Sequence, residues 1–305
     1  MTSGATSPRV AVIVLNYNGK DVTLETLSSL TVLDYDNAEI VVVDNGSTDG
    51  SFDVVAAAYP QVVQLRVEDN RGISWGLNAG IRWALERDFP YIMVCNNDIE
   101  MAPDGLTQMV KVLEADETVG CVGPKTYYHG DRERLWAAGG ILRFKESVTR
   151  ERGMNELDRG QYDEDGEVDY INGCAMLKRR EALLAAGLWD PNYYLGVEDA
   201  DWCVRMKRQG YRCWYAHRAK VWHMVSASIG VYKAGRTFHT GRSQAIFVRK
   251  YANAFQWLSF LAFYSASVPV AWLRELFKGN QAAVTSKLRG VLTGLRTPLA
   301  PEPMD

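Results

Sequence analysis

Two hydrophobic periods alternate along the first half of the chain. Residues 10–15 (VAVIVL) form an unbroken apolar run rich in β-branched side chains, the pattern of a strand buried on both faces. Behind it, Val22, Leu27, Leu30 and Leu33 recur at helical spacing and predict a helix over 21–33. The run EIVVV predicts a second strand at 39–43, broken by DNGSTDGS, with a helix over 51–59 that stops at Pro60. A third strand follows at 62–67. Residues 74–87 carry Trp75, Ala79, Trp83 and Ala84 along one helical stripe. YIMVC at 91–95 is a fourth strand ending in NNDIE, and Asp104 is placed to cap a helix running to about Ala115. This alternation predicts an α/β protein with a parallel sheet wound by helices. Ligands of such sheets sit at the carboxyl ends of the strands. Here those ends carry Asn16-Tyr17-Asn18, Asp44-Asn45 and Asn96-Asn97-Asp98.

The pattern then changes twice. Residues 151–169 hold eight acidic side chains and two arginines, which predicts a mobile surface loop or lid. YINGCAMLKR reads as a further strand, residues 180–186 as a short helix, and residues 201–209 as a helix stopped by Gly210. From Ala252 to Leu273 there is no charge, six aromatic side chains interrupt the run, and basic residues follow at 274, 278, 287, 289 and 296. The length just spans a bilayer, but Asn253, Gln256, three serines and Pro269 dilute it. An interfacial helical hairpin or amphipathic pair anchored by aromatics and basic residues is one reading. A helix packed on the main domain, or on the partner in a homodimer, is the other.

Composition bounds the rest. With 305 residues, 47% hydrophobic and 23% charged, the chain is an ordinary globular protein. Thirty-four basic residues against 37 acidic ones give a net charge of −3, which argues against a general nucleic-acid binder. Five cysteines without a CxxC pair argue against zinc ribbons and disulfide frameworks and favour free thiols in a reducing cytoplasm. The first apolar run lacks a basic stretch before it, so no signal peptide is expected.

Seven segments in order carry a resemblance: VAVIVLNYNG, VVVDNGSTDGS, NRGISWGLNAGI, NNDIE, DYINGCAMLKR, GLWDPNYYLGVEDADWCVRMKRQGY and VWH. Together they resemble the family 2 inverting glycosyltransferases of the GT-A fold, and within them the bacterial rhamnosyltransferase-like branch. The resemblance implies a Rossmann-like, mixed and mainly parallel sheet flanked by helices. It places a catalytic domain over 1–245, with a donor half at about 8–125 and an acceptor half at about 126–245, and a helical extension over 246–305. It implies transfer of a sugar, rhamnose being the first choice, from a UDP- or dTDP-sugar to a glycan or lipid-linked glycan. The setting would be cell-surface polysaccharide synthesis at the cytoplasmic face of the inner membrane.

The same resemblance distributes roles. Asp199 is the base that takes the acceptor proton, near a helix start whose dipole favours the ionised form, and Glu198 holds acceptor hydroxyls. Asp98 and His223 hold Mn²⁺ or Mg²⁺, which neutralises the departing diphosphate. Asn96 stands where the family has an acidic residue, so one carboxylate ligand is missing, but it can still bind the nucleotide-sugar through the ribose or a metal-bound water. Asp44 accepts from the N3–H of a pyrimidine base, which suits uracil or thymine. Asn16, Tyr17, Asn18, Asn45, Asn97, Asn70, Arg71, Gly72 and Asn78 surround the nucleotide-sugar, with Arg71 matched to phosphate. Asn45 equally well only shapes a turn, and Arg71 equally well lies in solvent. Asn172, Gly173, Trp189 and Trp202 line the acceptor and sugar cleft, although Trp202 filling the core is as good a reading.

Other classes fit less well. A sugar nucleotidyltransferase needs a Gly-rich, Arg-containing phosphate loop after the first strand, and a dinucleotide oxidoreductase needs GxGxxG there. Neither is present. A non-catalytic nucleotide-sugar-binding scaffold has no use for Asp44, Asp98 and Asp199 together.

Overall fold

The unbroken VAVIVL run becomes the centre of a sheet. The computed structural model describes residues 7–225 and 233–299. Its elements begin with β1 (Val10–Asn16), α1 (Lys20–Leu30), β2 (Ala38–Asn45), α2 (Ser51–Ala58), β3 (Val63–Val67), α3 (Ile73–Leu85) and β4 (Tyr91–Asn96). They continue with β5 (Ile99–Met101), α4 (Gly105–Ala115), β6 (Val119–Tyr128), β7 (Asp131–Ala137), β8 (Gly140–Leu142), β9 (Thr149–Glu151) and β10 (Gly166–Val168). The last are β11 (Ala175–Arg179), α5 (Arg180–Ala186), α6 (Glu198–Arg208), β12 (Arg212–His223), α7 (Ala234–Tyr251), α8 (Ala254–Leu276) and α9 (Gln281–Arg296).

β1 lies between β2 and β4, parallel to both, and β3 extends the parallel set beyond β2. Past β4 the sheet is mixed. β11 runs antiparallel to β4 and β6, β12 is parallel to β6, and β10 is antiparallel to β12. β5 pairs with the end of β12, β7 with β6, and β8 with β9 in a small hairpin. Helices cover both faces. Alternate β1 residues divide between two cores, Ala11 and Ile13 with α3, α6 and α7, and Val10, Val12 and Val14 with α1 and α4. A strand buried on both sides needs apolar residues at every position, which is why β1 shows no alternation.

Three details differ from expectation. Asp104 occupies the position before α4, but its carboxylate accepts from Gln108 Nε2 (3.0 Å) one turn on instead of capping the helix. α6 starts at Glu198 and not at Asp201, so Glu198 and Asp199 form its first turn. The acidic stretch 151–169, expected as a mobile lid, is fastened down. Lys125 Nζ, buried in β6, donates to Asp158 and Asp163 at 2.6 Å each, and Tyr127 donates to Asp158 at 2.6 Å. Asp165 accepts from the His217 backbone N–H, and β10 adds to the sheet. Asp158, Asp163 and Glu167 face lysines inside the same chain, and Glu151, Glu156 and Asp169 bind neutral donors.

The seam expected at 245/246 falls inside α7, where Ala245, Ile246, Phe247 and Val248 are fully buried in the main core. Asp201 of α6 accepts from Lys250 Nζ (2.6 Å) and the Tyr251 hydroxyl (2.7 Å), fixing the end of α7 to the sheet domain. α9 packs on α7 at backbone distance. A β-carbon on Gly290 would fall against the Phe238 carbonyl, and one on Gly294 against the Arg242 carbonyl. α8 instead holds one stripe, Trp257, Phe260, Tyr264 and Val268, to the core while Phe255, Leu258, Leu261, Val270 and Phe277 face outward.

The glycine seam is testable. Gly290→Val pushes a side chain into a backbone oxygen that cannot rotate away, so it should cost at least about 2 kcal/mol in urea unfolding. Leu292→Ala, at an exposed position two residues on, should stay within about 0.5 kcal/mol. Equal stability of the two variants would rule out the seam.

Candidate active site

The ends of β1, β2 and β4 meet around one amide. Asn16 is buried, and its Nδ2 donates to Asp44 (3.1 Å) and to Ser51 Oγ (2.8 Å). Its Oδ1 accepts from the Gly19 N–H, Thr23 Oγ1 and Asn97 Nδ2. Asp44 accepts in addition from the Ser47 N–H (3.0 Å) and is fully buried. In this conformation its carboxylate braces the loop and turns no face toward a base. Asn97 likewise points inward, donating to Thr23 (2.8 Å) as well as to Asn16. Of this group only Tyr17 and Asn18 reach the surface, Asn18 at a φ of 50° with its side chain on the Thr48 N–H.

Asn45, Asn70, Gly72 and Asn78 also prove to be framework. Asn45 Nδ2 donates to Asn70 Oδ1 and the Gly72 carbonyl (3.2 Å each), while Asn70 Oδ1 accepts from the Gly72 N–H. Gly72 has a φ of 103° and lies against the Tyr194 backbone, where a β-carbon would not fit. Asn78 exchanges two hydrogen bonds with the Trp189 backbone (2.8 and 3.0 Å), clamping α3 to the segment between α5 and α6. Arg71 is exposed and stacks over Trp75 at 4.1 Å, the solvent alternative rather than the phosphate contact.

The end of β4 and the end of β12 converge because β5 pairs antiparallel with β12, setting His223 opposite Ile99. His223 Nε2 lies 3.1 Å from Asp98 Oδ1 and 3.4 Å from Asn96 Nδ2, with the edge of Trp136 against the ring. Nδ1 is buried without a partner. An imidazole nitrogen and a carboxylate oxygen aimed at one point, with an amide beside them, fit a divalent cation of the Mn²⁺ or Mg²⁺ kind. From α7, Arg236 brings a half-buried guanidinium into the field of Asp98 and Glu198, which opposes the lowering of its pKa by burial. No periodicity or motif in the sequence pointed to it.

Across from this pair stand the first residues of α6. Asp199 is partly exposed, and its Oδ2 accepts from the Gly173 N–H at 3.0 Å. A side chain on Gly173 would press on Trp189 and approach Asp199, so glycine permits the bond. Burial pushes the Asp199 carboxyl up, against the pull of the Gly173 and Ala200 N–H groups. The helix start therefore does not lower its pKa as expected, because desolvation outweighs the dipole. Burial and the Asp199 charge push Glu198 up too, and its Oε2 is buried without a partner. Val197, just before, sits at a φ of 61°, a costly angle for a β-branched residue and one that aims this turn.

Trp189 and Trp202 are not cleft residues. Both are fully buried, and each ring lies 4.1 Å from Lys178 Nζ, itself buried without a hydrogen-bond partner. The indoles wall a buried amine, whose pKa burial lowers well below the usual lysine range, instead of stacking on a sugar. Behind α6, Cys121, Cys203 and Cys213 bring their sulfur atoms within 4.8 Å of one another in the core, away from the Asp98–His223 pair. Arg205 is buried too, bound to Asp201 (3.0 Å), whereas Arg208 is exposed. Asn172 does stay with the site, donating to Glu151 (3.2 Å), a residue of the supposed lid.

Residues 11–183 match the family model described as Glycosyl transferase family 2. Over 223 residues the chain is 24% identical to a poly-beta-1,6-N-acetyl-D-glucosamine synthase of Staphylococcus aureus, covering 72% of this chain and 51% of that one. A synthase of the same name from Staphylococcus epidermidis is also 24% identical, over 225 residues. The chain thus spans about half the length of these curated relatives. Among solved structures it is similar to the mannosyltransferase PcManGT from Pyrobaculum calidifontis in complex with GDP-Man and Mn²⁺, at a TM-score of 0.59 and 20% identity. That match covers 95% of this chain and 88% of the other. It is also similar to GalNAc-T7 with UDP, GalNAc and Mn²⁺, at a TM-score of 0.64 and 16% identity over 83% of this chain and 49% of that one.

The Asp98–His223 pair sets an expectation. Asp98→Ala and His223→Ala should each weaken Mn²⁺ uptake in the presence of UDP about tenfold or more by calorimetry. Arg71→Ala should leave it unchanged. Wild-type Mn²⁺ affinity in both site variants would remove these residues from the metal site.

Proposed function

Because the chain belongs to glycosyl transferase family 2, we propose that it performs inverting, cation-assisted transfer of a sugar from a UDP- or dTDP-sugar to a hydroxyl of a glycan or lipid-linked glycan. The observation that carries this reading is the placement of two unlike groups at one end of the sheet, where β4 and β12 finish and β11 begins. Asp98 and His223 stand on one side, and Asp199, held by the Gly173 N–H, on the other.

When bound by Asp98 and His223, a divalent cation supplies charge for the diphosphate as it leaves. Asp199 is a single carboxylate with solvent access and one oxygen fixed by a backbone donor. It suits removal of the acceptor proton as the hydroxyl attacks the anomeric carbon, and inversion requires no enzyme nucleophile. Arg236 adds positive charge between the two sides. Its raised pKa makes Asp199 a stronger base than an ordinary carboxylate, but leaves it protonated, and idle, at lower pH.

The rhamnosyl reading makes dTDP-rhamnose the first donor to test. A nucleotide-activated N-acetylglucosamine and GDP-mannose follow, as the sugars named for the Staphylococcus and Pyrobaculum proteins above. α8 supports adsorption at the cytoplasmic membrane face, since its outward stripe of Phe255, Leu258, Leu261 and Phe277 is apolar and basic residues follow it. By length and composition α8 is also apolar enough to cross a membrane, but a stripe tied to the core favours lying along the surface.

Asp199→Asn should abolish turnover of the accepted donor while UDP and Mn²⁺ still bind. The wild-type rate should fall as pH drops through the raised Asp199 pKa, above the usual carboxylate range of about 4. Near-wild-type turnover in the variant would falsify the assignment of the base. For the membrane, Leu258→Glu with Phe277→Glu should release the chain from sedimenting vesicles containing anionic phosphatidylglycerol, with the fold intact by circular dichroism. Deleting the whole tail is a poorer test, because α9 is part of the packing on α7.

A further inference from the structure

Glu151 ends β9, the second strand of the small hairpin, at the root of the acidic stretch. Its two oxygens are both engaged. One accepts from the buried Tyr170 hydroxyl at 2.7 Å, the other from Asn172 Nδ2 at 3.2 Å. Asn172 cannot turn over, because its Oδ1 accepts from the Cys174 N–H (3.2 Å). The next residue, Gly173, gives its N–H to Asp199 (3.0 Å). Two carboxyls from opposite elements therefore grip one dipeptide by adjacent donors.

We propose that Glu151 is a positioning residue for Asp199, acting through Asn172–Gly173, and that it ties the acidic segment 151–169 to the reaction. This rests on the reading of Asp199 as the base. Burial, helped by the Asp199 charge and opposed by the Tyr170 and Asn172 hydrogen bonds, pushes Glu151 up to about 8. The groups facing it are the Tyr170 hydroxyl, the Asn172 amide and the Asp199 carboxylate. Of its chain neighbours, Arg150 is exposed and Arg152 turns to the Ala138 carbonyl. Below about 8 the neutral form of Glu151 is favoured, and the dipeptide then lies between one charge and one neutral acid. When Glu151 ionises, like charges face each other across it, and their repulsion loosens the Gly173–Asp199 bond.

The test uses the full chain, Mn²⁺ and hydrolysis of the accepted nucleotide-sugar, with water as acceptor. Glu151→Ala should lower kcat about tenfold or more with the donor KM unchanged within about twofold. Glu151→Gln, which mimics the neutral acid, should keep kcat within about threefold at pH 7 and lose the decline that wild type shows above pH 8. Unchanged kcat in Glu151→Ala, or the same alkaline decline in Glu151→Gln, overturns the proposal. A substrate-free arm separates it from the transferase reading. Because the folded-state pKa is raised, the contribution of Glu151 to stability is lost as pH rises toward and through 8. Melting of wild type should therefore fall relative to Glu151→Gln between pH 5 and 9, and by less when Asp199→Asn is present in both. Parallel melting curves in all four chains overturn the coupling even if no donor is ever turned over.

Discussion

One side-chain amide holds the ends of β1, β2 and β4 together. Asn16 ends the central strand, and both poles of its amide are fully used, on Asp44 and Ser51 from the β2 side and on Thr23 and Asn97 from α1 and the β4 end. Three strand ends that would otherwise present unpaired polar groups are satisfied by one another. A buried polar network of this kind fixes geometry because each group has no other partner to turn to. The neighbouring turn at Asn45, Asn70 and Gly72 repeats the arrangement on a smaller scale. Loop residues there are framework, and the reactive groups stand at its margin.

The margin is governed by desolvation. Asp199, Glu198 and Glu151 are all pushed upward by burial, and backbone or side-chain donors pull each of them back only partly. The acidic stretch contributes to this through a single residue, while its other carboxylates bind Lys125 and His217. A net charge near zero thus conceals strongly charged local neighbourhoods that are mostly matched within the chain.

Much of the architecture was legible from residue order. The continuous apolar runs give β1, β2 and β4 because a parallel strand covered on both faces leaves no polar position to confuse the period. The convergence of Asp98 and His223 followed from the family resemblance, and physically it depends on a three-residue strand, β5, too short to show a period of its own. The environment of Asn78, Trp189 and Trp202 was not legible. A motif names residues near a site without saying which turn inward, and these became a clamp and the walls around the buried Lys178 amine. The acidic loop misled for a related reason. Its composition is that of a solvated segment, and its partners, Lys125 and His217, lie far away in sequence. Glu151 and Arg236 carried no local signal, since each reaches the site from an element whose packing is non-local.

The glycine contacts between α7 and α9 also decide how the outward helix behaves. α8 is the middle of a closed span, with one end continuing from α7 beside the Asp201–Lys250–Tyr251 cluster and the other returning through α9 onto α7. Such a span cannot swing as a free tail. Both of its ends attach to the same helix, and that helix carries Arg236 toward Asp98 and Glu198. The exposed stripe of α8 and the strand ends that carry Asp98 are thereby joined through one helix, α7.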